Sequence, residues 1–82
     1  MKTIKFNNEE TYEIINDFID IIKQKDIIYT DDGVDKNTMG GYYVYTDIFN
    51  NNDDGMPICR IEADYTKDSN FINAQILIKD FN

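Results

Sequence analysis

The clearest pattern of apolar and polar positions in this chain runs from residue 9 to about residue 25 and has helical spacing. Asn7 or Asn8 can cap such a helix, and acids in its first turn and lysines in its last turn suit the helix dipole. The pattern predicts an amphipathic helix with one broad buried stripe. That stripe comprises Tyr12, Ile14, Ile15, Phe18, Ile19, Ile21 and Ile22.

Shorter stretches rich in β-branched and aromatic residues predict strands on both sides of the helix. They are residues 3–6, 27–29, 42–49, 58–65 and 71–79. In the last two, strict alternation sends one set of side chains to a core face. That set is Cys59, Ile61, Ala63, Tyr65, Ile72, Ala74, Ile76 and Ile78. The polar stretch 30–41 contains three glycines and predicts a mobile loop.

The short connections between the later strands favour an antiparallel meander with one face in solvent, and the helix is the natural cover for its other face. We therefore expect an α+β fold with one amphipathic helix packed on a sheet of three to five mainly antiparallel strands, in the order β-α-β-β-β-β. A hydrophobic content of 41% excludes a disordered chain. Residues 1–82 form a single domain in this interpretation.

Charge changes the picture more than any other property, because 16 Asp and Glu face 8 Lys and Arg, with no histidine and a net charge of −8. Four carboxylates recur along one side of the predicted helix, and we call them the acidic row. They are Glu10, Glu13, Asp17 and Asp20. Asp31 and Asp32 are expected beside them. The row is either a solvated face or a binding surface for a basic partner, and the pattern leaves both open.

Three tyrosines near a double glycine are the second candidate for partner contact. Alternation places Tyr43 and Tyr45 on one face of a strand and Tyr42 on the other, so at least one of these faces is expected to be exposed. Tyrosine is enriched at protein interfaces, because it combines large rigid area with a hydroxyl group. The alternative is that all three are ordinary strand aromatics packed in a small core.

Residues 50–55 imitate the start of a calcium-binding loop, but position 61 is isoleucine where that loop needs a bidentate glutamate. We therefore predict a hairpin turn there, with no metal or cofactor. The absence of histidine removes the commonest general base, and Cys59 is expected on the core face as an inert thiol. The chain is predicted to be non-enzymatic, with no catalytic residue, and Lys and Arg are too sparse for direct nucleic-acid binding.

The single cysteine and the lack of an apolar leader or membrane span favour a cytoplasmic protein. The abundance of isoleucine, asparagine, lysine, aspartate and tyrosine matches A/T-rich codons, which indicates the genome of a low-GC bacterium, its phage or a plasmid, and hence a bacterial host cell. In size, charge, residue usage and its acidic row, the chain resembles the small acidic anti-defence proteins of phages and mobile elements, including anti-CRISPR proteins. The resemblance covers general character only, without a diagnostic motif.

This resemblance implies a stoichiometric inhibitor of a nuclease or nucleic-acid-guided effector, acting as a nucleic-acid mimic. Its partner would be a basic protein. Two alternatives stay open. One is an immunity protein that neutralises a basic toxin, and the other is a small structural or assembly protein whose acidic face is solvated. The oligomeric state is not indicated by the sequence.

Overall fold

The protein folds as one helix on a five-stranded antiparallel sheet, as predicted, in a computed structural model that describes residues 2–51 and 55–79. The elements are β1 Lys2–Phe6, α1 Glu9–Lys23, β2 Ile28–Lys36, β3 Tyr42–Asn50, β4 Cys59–Tyr65 and β5 Phe71–Ile78. The strand order across the sheet is β1-β5-β4-β3-β2, so α1 connects the two outermost strands.

Helix α1 begins where its sequence provides a cap. Asn8 has extended backbone angles, and its side-chain oxygen accepts a hydrogen bond of 3.1 Å from the backbone N–H of Thr11. Glu9 and Glu10 occupy the first turn and Lys23 the last, each at the end of the helix dipole that stabilises its charge. The cap therefore fixes the start of the helix immediately after β1.

The core lies between α1 and the middle of the sheet. Ile19 of α1, Ile48 of β3 and Ile61 of β4 are buried together. Ala63 and Ala74, which are register partners on β4 and β5, are also buried on this side of the sheet. The small side chains of these two alanines leave space between the sheet and the helix that covers it.

The predicted helix stripe is too broad. Tyr12, Ile15 and Ile19 face the sheet, but Ile14, Phe18 and Ile21 are 60%, 61% and 54% exposed. A single helix on one sheet is covered from one direction only, so apolar residues at the flank of a wide stripe stay in contact with solvent. We call Ile14, Phe18 and Ile21 the apolar stripe.

The predicted loop 30–41 is mostly strand, so that prediction was wrong. β2 continues to Lys36 and pairs with β3 along its whole length. The polar composition misled the prediction because β2 lies at an edge of the sheet, where charged side chains are well tolerated. The short predicted strand 27–29 therefore belongs to a nine-residue strand.

A β-bulge shifts the register between β4 and β5, so that Tyr65 pairs with Phe71. The Phe71 ring lies 6.4 Å from the ring of Tyr12 on α1. Alternation instead assigns Ile72 to the core face, because a bulge cannot be read from a period of two. The turn predicted at 50–55 includes residues 52–54, which lie outside the described residues.

Candidate partner-binding surfaces

The acidic row lies on the solvent side of α1, and all four of its side chains are exposed. Glu10 and Asp20 are ten residues apart, which corresponds to about 15 Å along the helix axis. Within residues 2–51 and 55–79, none of the four carboxylates takes part in an ion pair. No side chain in this part of the chain therefore neutralises the charge that the row presents to solvent.

The apolar stripe runs beside the acidic row on the same helix. Ile14 follows Glu10 by four residues and Ile21 follows Asp17 by four, so apolar and acidic side chains are surface neighbours. α1 thus presents to solvent a line of carboxylates next to a line of large apolar groups. The sequence suggests the first line but assigns the second to the core.

A groove of about 480 Å³ separates α1 from β2 and β3. Asp20 of the acidic row, Lys23 of α1 and Asp32 of β2 all line it, so the groove carries charges of both signs. The Asp32 carboxylate accepts a hydrogen bond of 2.7 Å from the hydroxyl of Thr46. Asp31 points to the other side of the sheet, because successive strand residues alternate, and it does not join the row.

The three tyrosines of β3 occupy the two faces that alternation predicts. Tyr42 lies on the helix side, where its ring stacks on Tyr65 at 5.4 Å between centroids. Its hydroxyl donates a 2.9 Å hydrogen bond to Ser69. These contacts give Tyr42 a structural part in closing this end of the sheet, apart from Tyr43 and Tyr45.

Tyr65 connects the sheet to the start of the helix. Its hydroxyl donates a 3.2 Å hydrogen bond to the carboxylate of Glu9, and its ring packs edge-on against Phe71. Burial, reinforced by the charge of Glu9, raises the pKa of Tyr65 to about 12. The neutral phenol is therefore the form that the fold stabilises.

Tyr43 and Tyr45 lie on the side of the sheet opposite α1, which we call the open face. Their rings are 6.0 Å apart and tilted by 43°, and both are partly exposed. Tyr45 is paired with Gly33 of β2, and its ring occupies the space that a β-carbon at Gly33 would need. The glycine thus allows the tyrosine to lie flat across the neighbouring strand.

Arg60 is held on the open face by an aromatic ring and two carboxylates. Its guanidinium carbon lies 4.2 Å from the centre of the Tyr45 ring. Nε and Nη2 donate to the two oxygens of Asp47 at 2.7 and 2.9 Å, and Nη1 lies 3.4 Å from Glu62. The hydrogen bond to Asp47 is the main reason that the pKa of Arg60 is raised.

The sequence does not reveal this cluster. Arg60 and Glu62 are recognisable as polar residues of one strand face, but Asp47 becomes their neighbour only through the register between β3 and β4. Asp47 is nine-tenths buried, and it is the buried charged residue of the described chain. The two hydrogen bonds from the guanidinium offset part of the hydration that Asp47 loses on burial.

Cys59 lies on the core side of β4, as its alternation predicts, and packs against the buried isoleucines. Burial, with a smaller effect of the nearby Asp47, raises the pKa of its thiol. Among the described residues, Asp, Glu and Cys side chains form no group of three that could hold a metal ion. No helix in this part of the chain has the length and apolar content to cross a membrane.

Comparison with known proteins found no protein that is similar to this chain. No model of a protein family, no curated protein and no solved structure matches the chain. The features that bear on function are therefore the acidic row with the apolar stripe on α1 and the tyrosines of the open face.

Proposed function

We propose that this protein is a non-enzymatic inhibitor that binds a basic, nucleic-acid-acting protein through α1, in the manner of an anti-CRISPR protein or another nucleic-acid mimic. One observation supports this function above the others. The acidic row is exposed and has no neutralising partner among the described residues, and the apolar stripe lies directly beside it.

The charge density of the row is of the order found on nucleic acids. Four carboxylates over about 15 Å give one negative charge per about 5 Å of helix axis. One strand of B-DNA carries one phosphate per about 3.4 Å of axis. A basic groove that attracts a phosphate backbone would also attract this helix, and long-range attraction would speed the encounter.

The apolar stripe provides large apolar side chains for contact with a partner, which a purely acidic face lacks. Large exposed apolar side chains at positions i, i+4 and i+7 are the anchors by which a helix binds in a groove. Burial of each such side chain contributes roughly 1.5–3 kcal/mol before the costs of association. Charge would thus direct the approach, and Ile14, Phe18 and Ile21 would hold the complex together.

The same surface serves an immunity protein whose target is a basic toxin, so the two inhibitory functions differ in the target alone. A structural protein that self-associates through α1 is less favoured. In an antiparallel pair of such helices, the acidic row of one copy would lie beside the row of the other, and like charges repel. The net charge of −8 on each copy adds to this repulsion.

The test is inhibition of cleavage by purified basic nucleases. The protein is titrated into DNA cleavage reactions of RNA-guided CRISPR nucleases and, separately, of basic nuclease toxins. We expect stoichiometric inhibition of at least one enzyme, with loss of that inhibition when three row residues are reversed. The reversed residues are Glu13→Lys, Asp17→Lys and Asp20→Lys.

The control compares two variants that carry two reversals each. One has Asp17→Lys and Asp20→Lys in the row, and the other has Asp31→Lys and Asp68→Lys, which are exposed and lie away from the row. Both double variants change the net charge equally, so a difference between them reports position and not total charge. Inhibition that both variants lose equally, or that neither loses, would contradict binding through α1. Failure to inhibit any enzyme of either class would contradict the proposed function itself.

A further inference from the structure

We propose that the open face of the sheet is a second binding surface and that it takes arginine side chains of a partner protein. The receiving site consists of the Tyr43 ring between the carboxylates of Asp35 and Asp64. It lies on the side of the sheet opposite α1, so the inference does not depend on the inhibitory function proposed for the acidic row.

The open face already holds one guanidinium over a tyrosine ring and beside two carboxylates. Arg60 lies over the Tyr45 ring while Asp47 binds it with both oxygens and Glu62 approaches a third nitrogen. A flat ring beside two carboxylates matches the planar, forked shape of a guanidinium. The open face therefore already contains one arginine that is held by a ring and two carboxylates.

A tyrosine ring and two carboxylates also come together two residues along β3, but here both carboxylates lie on the neighbouring strands and neither lies on β3 itself. Asp35 of β2 and Asp64 of β4 are both register partners of Tyr43, so the three residues form one line across the open face. Side chains directly opposite one another on neighbouring strands have their β-carbons about 4.5–5.5 Å apart. Both carboxylates are thus within reach of a cation placed over the Tyr43 ring.

This second line has no cation of its own among the described residues. One oxygen of Asp35 accepts a hydrogen bond from the backbone N–H of Lys36 at 2.8 Å, and one oxygen of Asp64 accepts a bond from Asn37 at 3.3 Å. Each carboxylate keeps an oxygen that makes no such bond. Asp35 is exposed, and Tyr43 and Asp64 are partly exposed, so a partner side chain can reach all three.

The two carboxylates favour a positively charged occupant, and the tyrosine ring favours arginine over lysine. A lysine ammonium is a strongly hydrated point charge, whereas a guanidinium stacks on an aromatic ring and binds carboxylates in a fork. A lysine ammonium is also attracted to the face of the ring, so the preference for arginine depends on the stacking and on the forked hydrogen bonds. The site should therefore prefer arginine to lysine by about 2- to 10-fold in affinity, the effect of one additional net hydrogen bond.

The test uses two capped peptides of equal charge, acetyl-(Gly-Arg)4-amide and acetyl-(Gly-Lys)4-amide, titrated into isotopically labelled protein by NMR. We expect the arginine peptide to bind more tightly by the stated factor. Its largest shift changes should fall on the amides of Tyr43, Asp35 and Asp64. Tyr43→Leu keeps an apolar strand residue without the ring, and it should abolish the preference for arginine.

The matched control removes charge from α1 without changing the open face, as Glu13→Gln, Asp17→Asn and Asp20→Asn together. In this variant the preference for arginine should persist. Equal binding of the two peptides, a preference that survives Tyr43→Leu, or shift changes confined to α1 would each overturn the proposal. None of these outcomes bears on the cleavage assay, which tests the α1 surface separately.

Discussion

At the scale of single residues, Arg60 and Asp47 show how this very acidic chain places a charge inside its fold. The Arg60 side chain is 32% exposed and that of Asp47 is 12% exposed. The burial of this pair is therefore intermediate between that of a surface ion pair and that of a fully buried one. Removal of one partner leaves the other partly desolvated and unpaired. The geometry of the pair is bidentate, which is the arrangement in which arginine and carboxylate bind most strongly.

We predict that Asp47→Asn lowers the free energy of unfolding by about 1–3 kcal/mol, between the values for exposed and buried pairs. Urea denaturation measures the change. Asp31→Asn is the matched control, because Asp31 is the exposed register partner of Asp47 on β2, and its effect should stay within about 0.5 kcal/mol. Equal effects of the two substitutions would show that Asp47 has no special part in stability.

Tyr65 gives the fold a dependence on alkaline pH. Its pKa is about 12 in the fold, above the ordinary tyrosine value of about 10. Between these values the unfolded chain loses a proton that the folded chain keeps, so this contribution to stability is complete below pH 10 and is lost as the pH rises towards 12.

We therefore expect the free energy of unfolding to fall less between about pH 9 and pH 11.5 in Tyr65→Phe than in the unmodified protein. Urea titrations at the two pH values measure the fall. Glu9→Gln should retain part of the extra fall that Tyr65 causes, because burial is a larger cause of the raised pKa than the charge of Glu9. An identical fall in the unmodified protein and in Tyr65→Phe would contradict the assignment.

At the scale of elements, the β2–β3 hairpin is where the sequence was hardest to interpret. Its closing loop is organised by Asn37, whose amide nitrogen donates to the carbonyl oxygens of Tyr42 and Tyr65 at 3.2 Å. The side-chain oxygen of Asn37 accepts from the backbone N–H groups of Met39 and Gly41. One asparagine thus ties the loop to itself and to β4.

Replacement of Asn37 by alanine should destabilise the protein by about 1–3 kcal/mol, because backbone groups that are partly buried lose their partners. Amide hydrogen exchange at Met39 and Gly41 should become faster. Thr38→Ala is the control, since Thr38 is exposed and next in sequence. If exchange in the loop were unchanged in Asn37→Ala, the loop would be held by its strands alone.

The contrast between α1 and β2 explains which elements could be predicted. The helix has a strong period, a cap and suitable charges at both ends, and these local signals predict its start at Glu9 correctly. β2 consists mainly of polar residues, and only pairing with β3 makes it a strand. The exposure of Phe18 was also beyond prediction, because it depends on how much of the helix the sheet covers.

At the scale of the whole molecule, the charge is divided between two sides of one sheet. The acidic row and Asp32 lie on the helix side, while Asp31 and Asp35 lie on the open face. The α+β fold and the row follow from hydrophobic and charged periodicity in the sequence. The separation of the tyrosines from the row, and the pairing of Arg60, depend on strand order and register, which periodicity does not encode.

The central claim is that the acidic row on α1 binds a basic partner, and its salt dependence tests this most directly. For an enzyme that the protein inhibits, the dissociation constant is measured between about 50 and 500 mM NaCl, a range in which the Debye length falls several-fold. We predict affinity that falls steeply with salt, and a much shallower slope after Glu13→Lys, Asp17→Lys and Asp20→Lys. An unchanged slope and affinity in that variant would contradict the claim.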